Sequence, residues 1–126
     1  MARILVIEDS IYQRTKITKV LEAGGHLVIQ SANGREGVLT AATSNPDLVL
    51  LDLLMPEMNG VEVLQEWQSK QLKLPVIVLT ADIQATTREQ CLTLGAIEFI
   101  NKPFDPEMLL ALVTTTLANQ RKEGAP

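Results

Sequence analysis

The sequence is short of several things at once. It holds a single cysteine, Cys91, so no disulfide can close within the chain, and that usage suits a reducing compartment. On a helical stretch Cys91 reads as a small apolar filler. Basic charge is not in excess: the net charge is −4, so no global positive field draws the chain to nucleic acid or to an anionic membrane. No apolar run approaches the length of a bilayer span. A secretory pattern is missing too, because Arg3-Ile4-Leu5-Val6-Ile7 runs straight into Glu8 and Asp9. The expectation is a cytoplasmic protein with neither a membrane nor a nucleic acid as direct partner. Aromatics make up 3%, with one Trp and two Phe, so Trp67 and Phe99 stand out; taken alone, Trp67 reads as helix packing or a partly exposed ring, and Phe99 as core.

What is present is an alternation. Short runs rich in Val, Ile and Leu occur at Ile4–Ile7, Leu27–Ile29, Leu48–Leu51, Val76–Leu79 and Ile97–Ile100. Most are continuous in apolar character, as in strands buried on both faces of a parallel sheet. Helical patterns lie between them. Ile17, Val20 and Leu21 share a face before Gly24-Gly25 stops the first helix. Asn33 to Glu36 and Asn59 to Glu62 both read as capping boxes. Thr86 to Leu94 gives a fourth helix closed by Gly95, and Asp105-Pro106-Glu107 opens the last with a cap acid and a first-turn proline. Five βα units predict an α/β fold, a doubly wound five-stranded parallel sheet in order 2-1-3-4-5. Residues 1–120 make one domain, and 121–126 a C-terminal tail or the start of a linker. His26, at a strand start on the edge away from the acids, reads as a surface residue.

The polar residues gather where strands stop. Strand one ends in Glu8-Asp9, strand three in Asp52 and strand four in Thr80, and strand five is followed by Lys102-Pro103. Doubly wound sheets bind ligands beyond the carboxyl ends of their strands, where the order reverses. Here that place is between strands one and three, which brings Glu8, Asp9 and Asp52 together. Three close carboxylates repel, so one keeps a proton or a cation sits among them. Oxygen donors without His or Cys favour a hard cation, Mg²⁺ above all, with Mn²⁺ as its substitute. A metal-bound Asp52 could meet a phosphoryl group whose other oxygens go to Lys102 and Thr80.

The blocks Glu8-Asp9, Asp52 with Met55-Pro56 and Asn59-Gly60, Thr80-Ala81, Phe99, and Lys102-Pro103-Phe104 stand in order, each at the end of its own strand. In these residues the chain resembles, from end to end, a response-regulator receiver domain of two-component signalling, and in particular the single-receiver, chemotaxis-regulator type. The resemblance implies the flavodoxin-like (βα)5 fold. It implies that Asp52 accepts a phosphoryl group from a histidine kinase or phosphotransfer protein. Asp9, Asp52 and the backbone carbonyl of Leu54 would bind the metal, with Glu8 acting through water; the family more often carries Asp at the place of Glu8. Lys102 would pair with the acid at rest and with phosphate afterwards. Thr80 and Phe99 would be the switch pair, and the Lys102–Pro103 bond would be cis. Output would leave through helix four, strand five and helix five, towards a protein target or a second copy.

Singly, these residues have plainer readings: an acid as helix cap, Lys102 as a solvated side chain, Thr80 as a cap. Their coincidence at one sheet edge outweighs those readings. Three rivals share part of the pattern. An aspartyl-phosphate phosphohydrolase needs a second Asp two residues after its nucleophile, where this chain has Leu54, which cannot move a proton. A flavodoxin needs phosphate-binding amides after strand one, where Glu8-Asp9 would repel the phosphate. A pseudo-receiver would lack part of the acid set or Lys102. Such a chain is expected to act as no enzyme beyond its own phosphorylation and slow dephosphorylation, either as a stand-alone regulator or as the N-terminal receiver of a longer one with a DNA-binding or enzymatic output domain.

Overall fold

The computed structural model describes residues 2–81 and 84–124. Within them the chain runs β1 (Arg3–Ile7), α1 (Ile11–Ala23), β2 (Leu27–Ser31), α2 (Gly34–Ser44), β3 (Leu48–Asp52), α3 (Gly60–Ser69), β4 (Val76–Thr80), α4 (Ala85–Thr93), β5 (Ala96–Asn101) and α5 (Pro106–Gly124). Neighbouring strands are all parallel, in the order β2-β1-β3-β4-β5. This is the doubly wound sheet that the alternation predicts.

The continuous apolar runs feed two cores. Successive side chains on a strand point to opposite faces, so Leu5, Ile7, Val49, Leu51 and Val78 face Val38, Leu64 and Trp67 of α2 and α3 together with Cys91 of α4. Ile4, Val6, Leu48, Leu50, Ile77 and Leu79 face Ile17 and Leu21 of α1 and Leu109 and Val113 of α5. Burial on both faces holds for β1, β3 and β4. It does not hold for β2 and β5, where Leu27 is 47% and Ile97 37% exposed, because an edge strand has a neighbour on one side only.

Strands β2 to β5 run past their apolar runs into the polar residues Ser31, Asp52, Thr80 and Asn101. The backbone ladder, not side-chain character, decides where pairing stops: Asp52 pairs with Leu79, and Thr80 with Asn101. Two of the candidate site residues, Asp52 and Thr80, thereby stand on ladder positions.

Helix ends follow local chemistry. Ser10, not Asp9, caps α1, its hydroxyl accepting from the Gln13 amide, so Asp9 is left for other work. The capping box at Asn59 and Glu62 is complete. At α2 Asn33 accepts from the Glu36 amide, and the reciprocal half is not formed among the described residues. Asp105 accepts from the Glu107 amide at the start of α5. That helix continues to Gly124, past residue 120 where the sequence put the start of a tail; Ala125 and Pro126 of that tail lie outside the described residues. His26 is not simply on the surface: it is half-buried and its Nδ1 accepts from the Ala2 amide at 3.3 Å. Burial pushes its pKa below the usual histidine value. Trp67 is packing, 3% exposed.

Candidate functional site

The carboxyl ends of β1 and β3 lie side by side, and the acids that the sequence placed there meet. Glu8, Asp9 and Asp52 each bring a carboxylate oxygen within 4.8 Å of the others. Glu8 and Asp52 are buried and Asp9 is exposed. Glu8 is tied down on all sides: its amide donates to the Ser31 carbonyl, its Oε1 accepts from the Ser10 amide at 3.2 Å, and its own carbonyl accepts from Arg14 Nη1 at 2.7 Å. Asp52 Oδ1 accepts from the Leu54 amide at 3.2 Å.

Lys102 reaches in from the loop after β5. Its Nζ lies 2.8 Å from Glu8 Oε2 and 3.5 Å from Asp52 Oδ2. Its amide donates to the Thr80 carbonyl at 2.8 Å, which stitches the loop to the end of β4, and the Lys102–Pro103 peptide is cis. One ammonium thus pairs with two acids of a cluster of three. Burial, and next the Glu8 charge, push the Asp52 carboxyl up to about 6, against the pull of Lys102 and of the Leu54 amide. An acid cluster of oxygen donors with surplus negative charge and no His or Cys fits a hard divalent cation.

Gly60 shapes the same corner. A Cβ there would meet the Asp52 carbonyl oxygen at 2.7 Å and Leu53 Cα at 2.8 Å, so α3 can start this close to the acid only on a glycine. A cleft of about 440 Å³ opens beside it, lined by Leu54, Thr80, Thr87 and Gln90 among others. A larger cavity of about 630 Å³ lies between the last turns of α3 and α4, around Trp67 and Leu94, and holds none of the acids.

The family model for the response regulator receiver domain matches residues 4–114. The chain belongs to the response-regulator receiver family. Protein PilH of Pseudomonas aeruginosa is 37% identical over 120 residues, covering 94% of this chain and 99% of PilH. The alkaline phosphatase synthesis transcriptional regulatory protein PhoP of Bacillus subtilis is 34% identical, over 91% of this chain but 48% of PhoP. The chain therefore spans nearly all of one such relative and about half of the other. Among solved structures, the chemotaxis protein CheY4 of Vibrio cholerae superposes with a TM-score of 0.86 at 30% identity, over 92% of this chain and 98% of that one. This chain is a receiver domain of two-component signal transduction, and none of the helices in its described residues is long and apolar enough to cross a membrane.

In this receiver the residues singled out by sequence do not all gather. Glu8, Asp9, Asp52 and Lys102 converge, and Thr80 ends the strand next to Asp52. Phe99 lies on edge strand β5, half-buried, with the guanidinium carbon of Arg88 4.6 Å from its ring centre. Sequence reasoning passed over Arg14, Gly60 as a spacer, and Arg88. Asn59-Gly60 carried a signal for the second of these. Nothing local marks the two arginines, because what each touches comes from another segment of the chain.

Proposed function

We propose that Asp52 is the phosphoacceptor of this receiver, taking its phosphoryl group from a phosphohistidine on a histidine kinase or phosphotransfer protein. The observation that carries this reading is the meeting of Glu8, Asp9 and Asp52 within 4.8 Å, with Lys102 between Glu8 and Asp52. An ionised Asp52 oxygen attacks phosphorus, the P–N bond of the donor breaks, and the imidazole leaves with the electron pair. Asp52 ionises above about pH 6, so the nucleophile is charged at neutral pH. Lys102 moves its hydrogen bonds from the acids to a phosphoryl oxygen, and the Thr80 hydroxyl donates to another. Asp9, Asp52 and the Leu54 carbonyl would hold Mg²⁺ or Mn²⁺, with Glu8 acting through water, and the bound ion would supply positive charge against the phosphoryl oxygens.

Leu54, an exposed apolar side chain two residues after Asp52, has no group that could take a proton from an attacking water. This favours a lasting acyl phosphate over turnover. The protein thus acts on no substrate but itself, as a cytoplasmic regulator whose working unit is residues 1–120.

Phosphorylation switches Thr80 and Phe99 and with them a protein-docking face made by α4, β5 and α5. The outer side of α5 is neutral: Met108, Ala111, Thr114, Thr115 and Ala118 are exposed, and no charged residue occurs from Met108 to Gln120. A partner or a second copy would bind there by packing.

Acetyl phosphate with Mg²⁺ should label the protein at Asp52 alone, as mapped by mass spectrometry. Labelling of Asp52→Asn at the wild-type rate would refute the assignment.

A further inference from the structure

We propose that Arg88 is a positioning residue for the switch: its guanidinium, stacked on the Phe99 ring, holds that ring and α4 in the resting arrangement. The inference rests on the reading above, that Phe99 changes place on phosphorylation.

The geometry is direct. Arg88 is exposed in the second turn of α4, and its guanidinium carbon stands 4.6 Å from the centre of the half-buried Phe99 ring on the neighbouring edge strand. A planar, weakly hydrated cation sits well on an aromatic face. Among the described residues Arg88 makes no ion pair.

α4 is the helix with the least to hold it. Its N-cap, Gln84, makes no side-chain cap bond, and Cys91 is its one buried residue, whereas α1, α2 and α3 each have a capping side chain and three or four buried residues. An element with few buried contacts opens and shifts at low cost. In such an element one stacked pair weighs more than it would on a well-anchored helix.

If Phe99 turns inward, its ring leaves the guanidinium and the stack is lost. An exposed cation–π contact biases the equilibrium towards rest by roughly two- to five-fold. Removing it shifts the population by that factor and, by linkage, tightens binding of a phosphoryl mimic at Asp52 by no more than the same factor. Arg88 touches none of the reacting atoms; its effect runs through Phe99.

The test uses the full chain carrying 4-fluorophenylalanine. With two Phe in the sequence, fluorine NMR gives two signals, and Phe99→Tyr identifies the one from Phe104. In Arg88→Met the Phe99 signal should move part-way towards its position in the wild type bound to beryllofluoride and Mg²⁺. The same variant should bind beryllofluoride roughly two- to five-fold more tightly. Arg88→Lys, which keeps the charge but not the plane, should do less on both counts, and the Phe104 signal should stay put. The affinity readout separates a shifted equilibrium from the mere loss of a charge near the fluorine. Wild-type affinity in Arg88→Met would overturn the proposal and leave Phe99 as the switch. A Phe99 signal that stays still when the wild type binds beryllofluoride would instead overturn the switch reading, and the role of Arg88 with it.

Discussion

Lys102 rests on Glu8 more closely than on Asp52, at 2.8 Å against 3.5 Å. The longer side chain of Glu8 reaches the ammonium while its other oxygen is held by the Ser10 amide. Asp52 has the Leu54 amide, the longer contact with Lys102, and the Glu8 carboxylate beside it. The proposed nucleophile is therefore the less satisfied of the two buried acids, and it has the raised pKa.

That imbalance predicts a pH signature. The folded pKa of Asp52 is about 6 and its ordinary value 3.8, so between these pH values the folded state binds the extra proton. The contribution of Asp52 to stability without metal then falls as pH rises through this window and stays level above it. Asp52→Asn should remove the fall. In chelator at neutral pH it should be more stable than wild type by about 2 kcal/mol in urea unfolding, an advantage absent below about pH 4. A variant that is less stable than wild type at neutral pH contradicts the electrostatic account.

Asp9→Asn should weaken Mg²⁺ binding by about ten-fold or more, and Glu8→Gln by less. Asp9 is exposed and caps no helix, whereas Glu8 is already engaged by Lys102 and Ser10. Calorimetry is the measurement of choice, because the sole Trp67 is buried about two helical turns along α3 from Gly60. Equal losses in the two variants would refute the roles given to them.

Gly60→Ala tests how tightly the site is built. The added methyl would press on the Asp52 carbonyl oxygen and on Leu53 Cα, both backbone atoms within 3 Å. Backbone yields poorly, so a loss of about 1–3 kcal/mol is expected, together with slower labelling by acetyl phosphate. Wild-type values for both would mean that α3 can slide away from the acid at no cost.

The neutral outer side of α5 predicts how partners respond to salt. Exposed ion pairs are screened within about 8 Å at physiological ionic strength, and apolar contacts are not. Association of the beryllofluoride form through this face should hardly weaken as salt rises, as read by analytical ultracentrifugation. A dimer that falls apart steeply with salt would show that charge, not packing, holds it.

How much of this was written in the chain can be told residue by residue. Local sequence determined the βα alternation, the glycine stops after α1 and α4, the cap at Asn59, and the polar residues at the strand ends. Each depends on neighbours within a few positions, where propensity, capping and periodicity act. Strand order and the convergence of Glu8, Asp9 and Asp52 were also legible, because parallel doubly wound sheets admit few topologies. Tertiary structure alone decided the rest. Lys102 meets Glu8 across 94 positions of sequence, and which acid it prefers depends on where two loops come to lie. Strands end where the ladder loses its partner, so Asp52 and Thr80 became strand residues although their side chains are polar. The edges β2 and β5 stayed half open despite apolar runs, because nothing pairs with their outer sides. Arg88 finds Phe99 only because α4 packs beside β5, and no pattern along the chain records a contact made by two segments through packing.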